Sequence, residues 1–143
     1  MDARHTRLAA AMAAAWEGEL TSAKTLVAAA EQASDPEVRG RLMVLSAFCR
    51  AHASRLIARL AAMGRGPLPV PPDEVLIEED LAAVVVQEAG VARAAARRYG
   101  ALAEAARADA DYSSAWVCEL NGVEEEDRAS ELGRIFREAS LEA

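Results

Sequence analysis

Apolar side chains recur along this chain at alternating steps of three and four residues, in long runs separated by short polar or proline-containing breaks. That spacing puts them on one face of an α-helix, which turns once every 3.6 residues. Leu8, Met12, Ala15, Glu19, Ala23, Leu26 and Ala30 make the first such face and predict a helix over residues 3–33. The second helix has a sharp start: Asp35 suits the N-cap, Pro36 the first helical position, and Glu37 places negative charge at the positive end of the helix dipole. Its inward face is Leu42, Leu45, Cys49, His52, Leu56, Leu60 and Met63, stopped by Gly64, which predicts a helix over 36–63. So short a connection forces the two helices into an antiparallel hairpin.

Residues 64–73, Gly-Arg-Gly-Pro-Leu-Pro-Val-Pro-Pro-Asp, carry no helical pattern and hold most of the prolines. Proline-rich chain extends by about 3.1 Å per residue, so this stretch reaches roughly 30 Å and can run the length of a bundle as a crossover. A third helix follows, starting between Asp73 and Asp80 and taken as 74–108, with the face Leu81, Val84, Glu88, Val91, Ala95, Tyr99, Leu102 and Ala106. Asp109 and Asp111 mark a short break, Asp111 being the cap of a fourth helix over 112–140. Cys118, Asn121, Glu125, Arg128, Leu132, Ile135 and Ala139 share its inward stripe. The expected fold is all-α: a single-domain four-helix bundle of two antiparallel hairpins joined by a long proline-rich crossover.

Composition sharpens this picture. Aromatic residues are only 4% of the 143 and alanine is abundant, which favours helices packed closely through small side chains. Sixteen Lys and Arg against 23 Asp and Glu leave a net charge of −7, so the electrostatic footprint of nucleic-acid binding is missing. Cys49 and Cys118 lie within helical patterns, which points to reduced thiols and a cytoplasmic setting. Residues 1–16 have the outline of a signal peptide, but their helical face continues unbroken past Glu19, so they are read as part of the first helix. No stretch approaches the roughly 20 apolar residues of a membrane span.

The two hairpins also match each other at an offset of 76 residues. Leu26 falls on Leu102, Leu56 on Leu132, Asp35 on Asp111, and Ala53-Ser54 on Ala129-Ser130. Superposed this way, Cys49 and His52 of the second helix fall on Glu125 and Arg128 of the fourth, while Glu19 falls on Ala95. A spacing of i, i+3 puts both members of each pair on one helical face.

Two helical hairpins, a long crossover, and a polar i, i+3 pair on each second helix resemble the ferritin-like superfamily, particularly its bacterioferritin and rubrerythrin branches, over almost the whole chain. The resemblance implies a centre in which two helices each supply a Glu and the other two each supply Glu-x-x-His, together binding two iron or manganese ions. Glu19 takes the first Glu position. Cys49-Arg50-Ala51-His52 takes the first Glu-x-x-His with Cys49 in place of Glu, and Glu125-Glu126-Asp127-Arg128 the second with Arg128 in place of His. Ala95 stands where the third-helix Glu would be, and Glu88, seven residues away, is about 10 Å along the axis. The losses at Ala95 and Arg128 fall on one ion position. Glu19, His52 and Glu125, with or without Cys49, make a half-site around the other.

The sequence therefore supports two readings of this layer. One is a site for a single divalent transition ion, iron or manganese by resemblance, with Arg128 supplying the second charge. The other, favoured because even the retained position lacks a bridging Glu, is a metal-free buried network in which Arg128 binds Glu125 or Glu19. Either way, an oxidase that needs two metals is not expected. A Cys49–His52–Cys118 zinc site is disfavoured, since Cys118 lies about 10 Å from the layer. A histidine phosphotransfer domain shares the Ala51-His52 and Arg55 pattern but needs an exposed imidazole, and Leu56 replaces that family's small residue. Trp16 and Trp116 are assigned to the edge of the core or to an oligomer interface, and Arg93, Arg97, Arg98 and the other acids of 124–127 to solvated faces. Side-by-side pairing into a homodimer is the expectation the resemblance carries, without a nucleic-acid or membrane partner.

Overall fold

The computed structural model describes residues 3–66, 68–70, 75, 77 and 79–139. Four helices follow in order: α1 (Ala3–Gln32), α2 (Pro36–Ala62), α3 (Leu81–Ala108) and α4 (Tyr112–Glu138). They form an all-α four-helix bundle in which α1 packs on α2 and α3 on α4 along their lengths, while thinner seams join α1 to α3 and α2 to α4. No helix among the described residues is long and apolar enough to cross a membrane.

The helix starts follow the capping chemistry of the sequence. Asp35 accepts from the Glu37 N–H at 2.9 Å with Pro36 in the first turn, and Asp111 accepts from Ser114 N–H at 3.0 Å. The third helix departs from expectation: it begins at Leu81 and not at 74. Val75 and Ile77 are non-helical, and Asp80, extended at φ −71° and ψ 165°, caps the helix by accepting from Ala83 N–H at 2.8 Å. A carboxylate that binds an N3 amide stops the helix from extending backwards, so the crossover is longer than the proline content alone suggests. Residues 71–74 lie outside the described set.

At the far end of α2, Gly64 takes φ +81° and the chain closes with Gly64 N–H on Ala61 O and Arg65 N–H on Leu60 O. The same closure ends α3, with Ala110 N–H on Arg107 O and Asp111 N–H on Ala106 O, but here the left-handed residue is Ala110 at φ 57°. This is the Schellman arrangement, which glycine adopts at no steric cost and alanine does not.

All seven expected inward positions of α1 and all seven of α2 are buried. On α3, Val91 is 38% exposed and the neighbouring Ala92 takes the buried place. The core is two apolar clusters. One joins Leu8, Met12, Leu56, Leu60, Leu102 and Cys118; the other joins Leu26, Leu42, Leu45, Val85, Leu132 and Ile135. Buried Glu19, His52, Glu88, Glu125 and Arg128 belong to neither cluster. Trp16 is buried, whereas Trp116 is 64% exposed on α4.

Candidate metal centre

Each helix contributes to the polar layer. Glu19 comes from α1, His52 from α2, Glu88 and Tyr99 from α3, and Glu125 and Arg128 from α4. His52 is fully buried, and its Nδ1 lies 3.1 Å from both Glu19 Oε2 and Glu125 Oε1. One ligand atom from each of these three residues lies within 4.8 Å of the others, a grouping of two carboxylates and one imidazole that suits a divalent ion. The other ring nitrogen, Nε2, meets Glu124 Oε1 at 3.0 Å, and Arg55 Nη1 donates to that same oxygen at 2.6 Å. Asn121 donates to the His52 carbonyl at 3.3 Å and accepts from Arg55 at 3.0 Å.

The Tyr99 hydroxyl donates to Glu19 Oε2 at 2.6 Å. Glu19 Oε1 is buried and has no hydrogen-bond partner. Arg128 stands on the far side of Glu125, donating through Nε to Glu125 Oε2 at 2.6 Å and through Nη1 to Glu88 Oε1 at 3.0 Å. Neither bond is to the carboxylate oxygens that meet His52.

The protonation energetics follow from this geometry. Burial is the largest influence on Glu19 and raises its carboxyl above the ordinary range; the Glu125 charge adds to it and the His52 bond opposes it. Burial alone would also raise Glu125, but bonds from His52 and Glu19 and the Arg128 charge overcome it and hold the carboxyl at about 2. Burial works against a charged imidazole, yet the bonds to Glu125 and Glu19 lift His52 to about 9. Glu124 is lowered against its own partial burial, chiefly by Arg55. Burial pushes the Cys49 thiol and the Tyr99 hydroxyl well up, so both stay protonated at neutral pH. Arg128, Arg55 and a charged His52 thus face Glu125, Glu88 and Glu124, and Glu19 is the fourth carboxylate.

No family model matches the chain, and no curated protein matches it. Among solved structures, a protein from Xanthomonas campestris pv. campestris is similar to it in fold, with a TM-score of 0.84 over 98% of this chain and 94% of that one. The two share 17% of their residues, a likeness that concerns the fold alone.

Of the residues singled out from the sequence, Glu19, His52 and Glu125 converge. Cys49 is buried on the same stripe but is not one of the three converging residues, and Cys118 belongs to the apolar cluster on the other side; both are free thiols. Ala95 is buried and leaves space beside Glu19. Arg128 binds Glu125 as expected but takes Glu88, not Glu19, as its second partner: the guanidinium spans the helical offset that keeps Glu88 from the trio. Glu124, expected on a solvated face, instead buttresses the imidazole. Sequence reasoning passed over Tyr99 as part of the site, although a tyrosine on an inward stripe one turn from Ala95 needs a hydroxyl partner, and Glu19 supplies it. The buried His52 has both ring nitrogens against carboxylates, so neither is open to a phosphoryl donor.

Proposed function

We propose that this protein is a ferritin-like bundle that binds one divalent transition ion between Glu19, His52 and Glu125. One observation carries the reading: a fourth carboxylate with a free buried oxygen, Glu19, beside an imidazole whose Nδ1 points between two carboxylates. Without an ion, that arrangement is neutral only when both His52 and Glu19 hold protons. A divalent ion in their place removes the proton from Nδ1 and the proton from Glu19, so two positive charges replace two and the layer's net charge is unchanged. Glu124 keeps the Nε2 proton and fixes the ring, a carboxylate–histidine arrangement that raises ligand basicity. Iron or manganese fits the oxygen-rich donor set.

Such an ion would supply Lewis acidity or one-electron chemistry at a single centre. Arg128, bonded to Glu125 and Glu88, supplies positive charge where a second ion would otherwise be needed, so chemistry that needs two metals is not part of the proposal. The protein is assigned a binding or interaction role in the cytoplasm, as a side-by-side homodimer.

The test is elemental analysis of untagged protein purified without chelator, followed by Mn(II) and Co(II) titration calorimetry in buffers of different ionisation enthalpy. One ion per chain is expected, with release of at least the His52 proton at neutral pH. A protein that neither carries nor takes up an ion would leave the second reading, a metal-free buried network. That alternative is favoured by the three cations, His52, Arg55 and Arg128, each already paired with a carboxylate. Light scattering at high concentration tests the pairing, a strict monomer being the adverse result.

A further inference from the structure

The layer is not closed equally on its two sides. On the α2/α4 side three arginines stitch the seam: Arg41 to Glu131 and Glu138, Arg55 to Glu124 and Asn121, and Arg59 to Ser114 and Asp111. The Arg55–Glu124 pair lies directly over the outer edge of His52. The groove on that side, about 370 Å³, ends on Arg128 and has none of Glu19, His52 or Glu125 in its wall. Arg128 lines both sides of the layer, so what sets this groove apart is that it does not reach the trio.

The α1/α3 side is bordered by α1, α3 and the described crossover residues Val75, Ile77 and Glu79, with Gly18, Ser22 and Ala95 as its small residues nearest Glu19. A groove of about 630 Å³ runs between the two helices, walled by Glu17, Gly18, Ser22, Glu88, Val91 and Arg98 among others. Sharing Gly18, Ser22, Val91 and Arg98 with it is a neck of about 30 Å³, lined also by Glu19, Ala95, Tyr99 and Arg128. That volume is about the share of one water molecule in the liquid. Glu19 is 4% exposed, and its Oε1 is the buried carboxylate oxygen without a partner. A buried carboxylate oxygen left unpaired costs free energy until a donor or cation reaches it.

We propose that the α1/α3 groove is the route by which a divalent cation reaches the centre, and that Glu19 Oε1 is the first buried protein atom to hold it. Glu17, Glu79 and Glu88 outnumber Arg98 among the groove's charged residues and so draw a cation inward, and the neck admits it only with most of its hydration shell removed. Glu19 then hands it on by rotation of its carboxylate, since its other oxygen already faces His52. Ala95 thereby has a positive role, because a larger side chain there would seal the passage. The proposal rests on the single-ion reading above, and the experiment separates the two.

Stopped-flow absorbance would follow Co(II) uptake by the chelator-treated protein, and competition with a chelator its release. Gly18→Leu and Ala95→Leu narrow the neck; Gly18 is exposed and a Cβ there meets nothing within 4 Å, so the backbone accepts a side chain, and unchanged helical circular dichroism checks that the variant is folded. Both are expected to slow uptake and release together by roughly tenfold or more, with the equilibrium affinity kept. Val44→Phe in the opposite groove leaves the rates of the wild type. Wild-type rates in Gly18→Leu, or slowing only in Val44→Phe, would overturn the route while leaving the ion site standing. Absence of any Co(II) uptake by the wild type would overturn both.

Discussion

His52 and Arg128 occupy equivalent places in the two hairpins and do opposite things with their charge. The imidazole's charge depends on pH. With the folded value raised to about 9, above the ordinary 6.5, its stabilising contribution is full below about pH 6.5 and is lost as pH rises through about 9. Glu19, also raised, adds a loss that begins just above the ordinary carboxylate range. Glu125 acts at the other end: held at about 2, its contribution is present above about pH 4.5 and lost as pH falls through 2. Chelator-treated protein should therefore lose stability on the order of 3 kcal/mol between pH 6 and 10, measured by urea denaturation, and His52→Gln should flatten that slope. An unchanged alkaline slope in the variant would show that the imidazole is not charged in the metal-free fold. The guanidinium, by contrast, is permanently charged, so its removal strands its partners. Arg128→Met should cost about 3 to 5 kcal/mol, with part recovered by adding Glu88→Gln, because two buried carboxylates otherwise lose their cation. Equal stability of the single and double variants would mean that Glu88 is hydrated once Arg128 is gone.

At the scale of the element, the close packing of α3 on α4 rests on Gly122. A Cβ at that position would lie 3.2 Å from the Cβ of Tyr99, which is fully buried and tied through its hydroxyl to Glu19. Glycine inside a helix ordinarily costs about 1 kcal/mol relative to alanine. Here Gly122→Ala should destabilise, because Tyr99 cannot yield without breaking its bond. A rise in melting temperature would show that it can. The reverse substitution belongs at the end of α3: Ala110→Gly should stabilise by about 0.5 to 1 kcal/mol, read from the denaturation midpoint, since φ 57° strains an alanine.

The helices and the hairpin pairing were legible because each follows from local rules, periodicity and capping aspartates, whereas the trio came from the internal repeat and the ferritin-like resemblance, which set Glu19, His52 and Glu125 in one layer. The start of α3 was not legible, since proline ends a helix more clearly than it says where the next one begins, and the deciding group was the Asp80 carboxylate. Nor were the roles of Glu88, Glu124 and Tyr99 legible. Each depends on the axial offset between helices of different hairpins, which crossover length and side-chain size set together.

For the whole molecule, the layer divides the apolar core into two clusters, and each hairpin holds only part of the layer. Glu19 and His52 belong to the first hairpin; Tyr99, Glu125 and Arg128 belong to the second. Contacts within hairpins outweigh those between them. The crossover, with exposed Gly66 and Val70, is the connection that holds unlike halves together. It follows that the chain is a natural candidate for fragment complementation. Cut within the crossover, the two hairpins would each bring an incomplete ligand set and an apolar face with no cover, and reassociation would restore both at once. Co(II) absorbance would then report reassembly, and the same logic predicts that misassembly, where it occurs, takes the form of hairpin exchange between two copies.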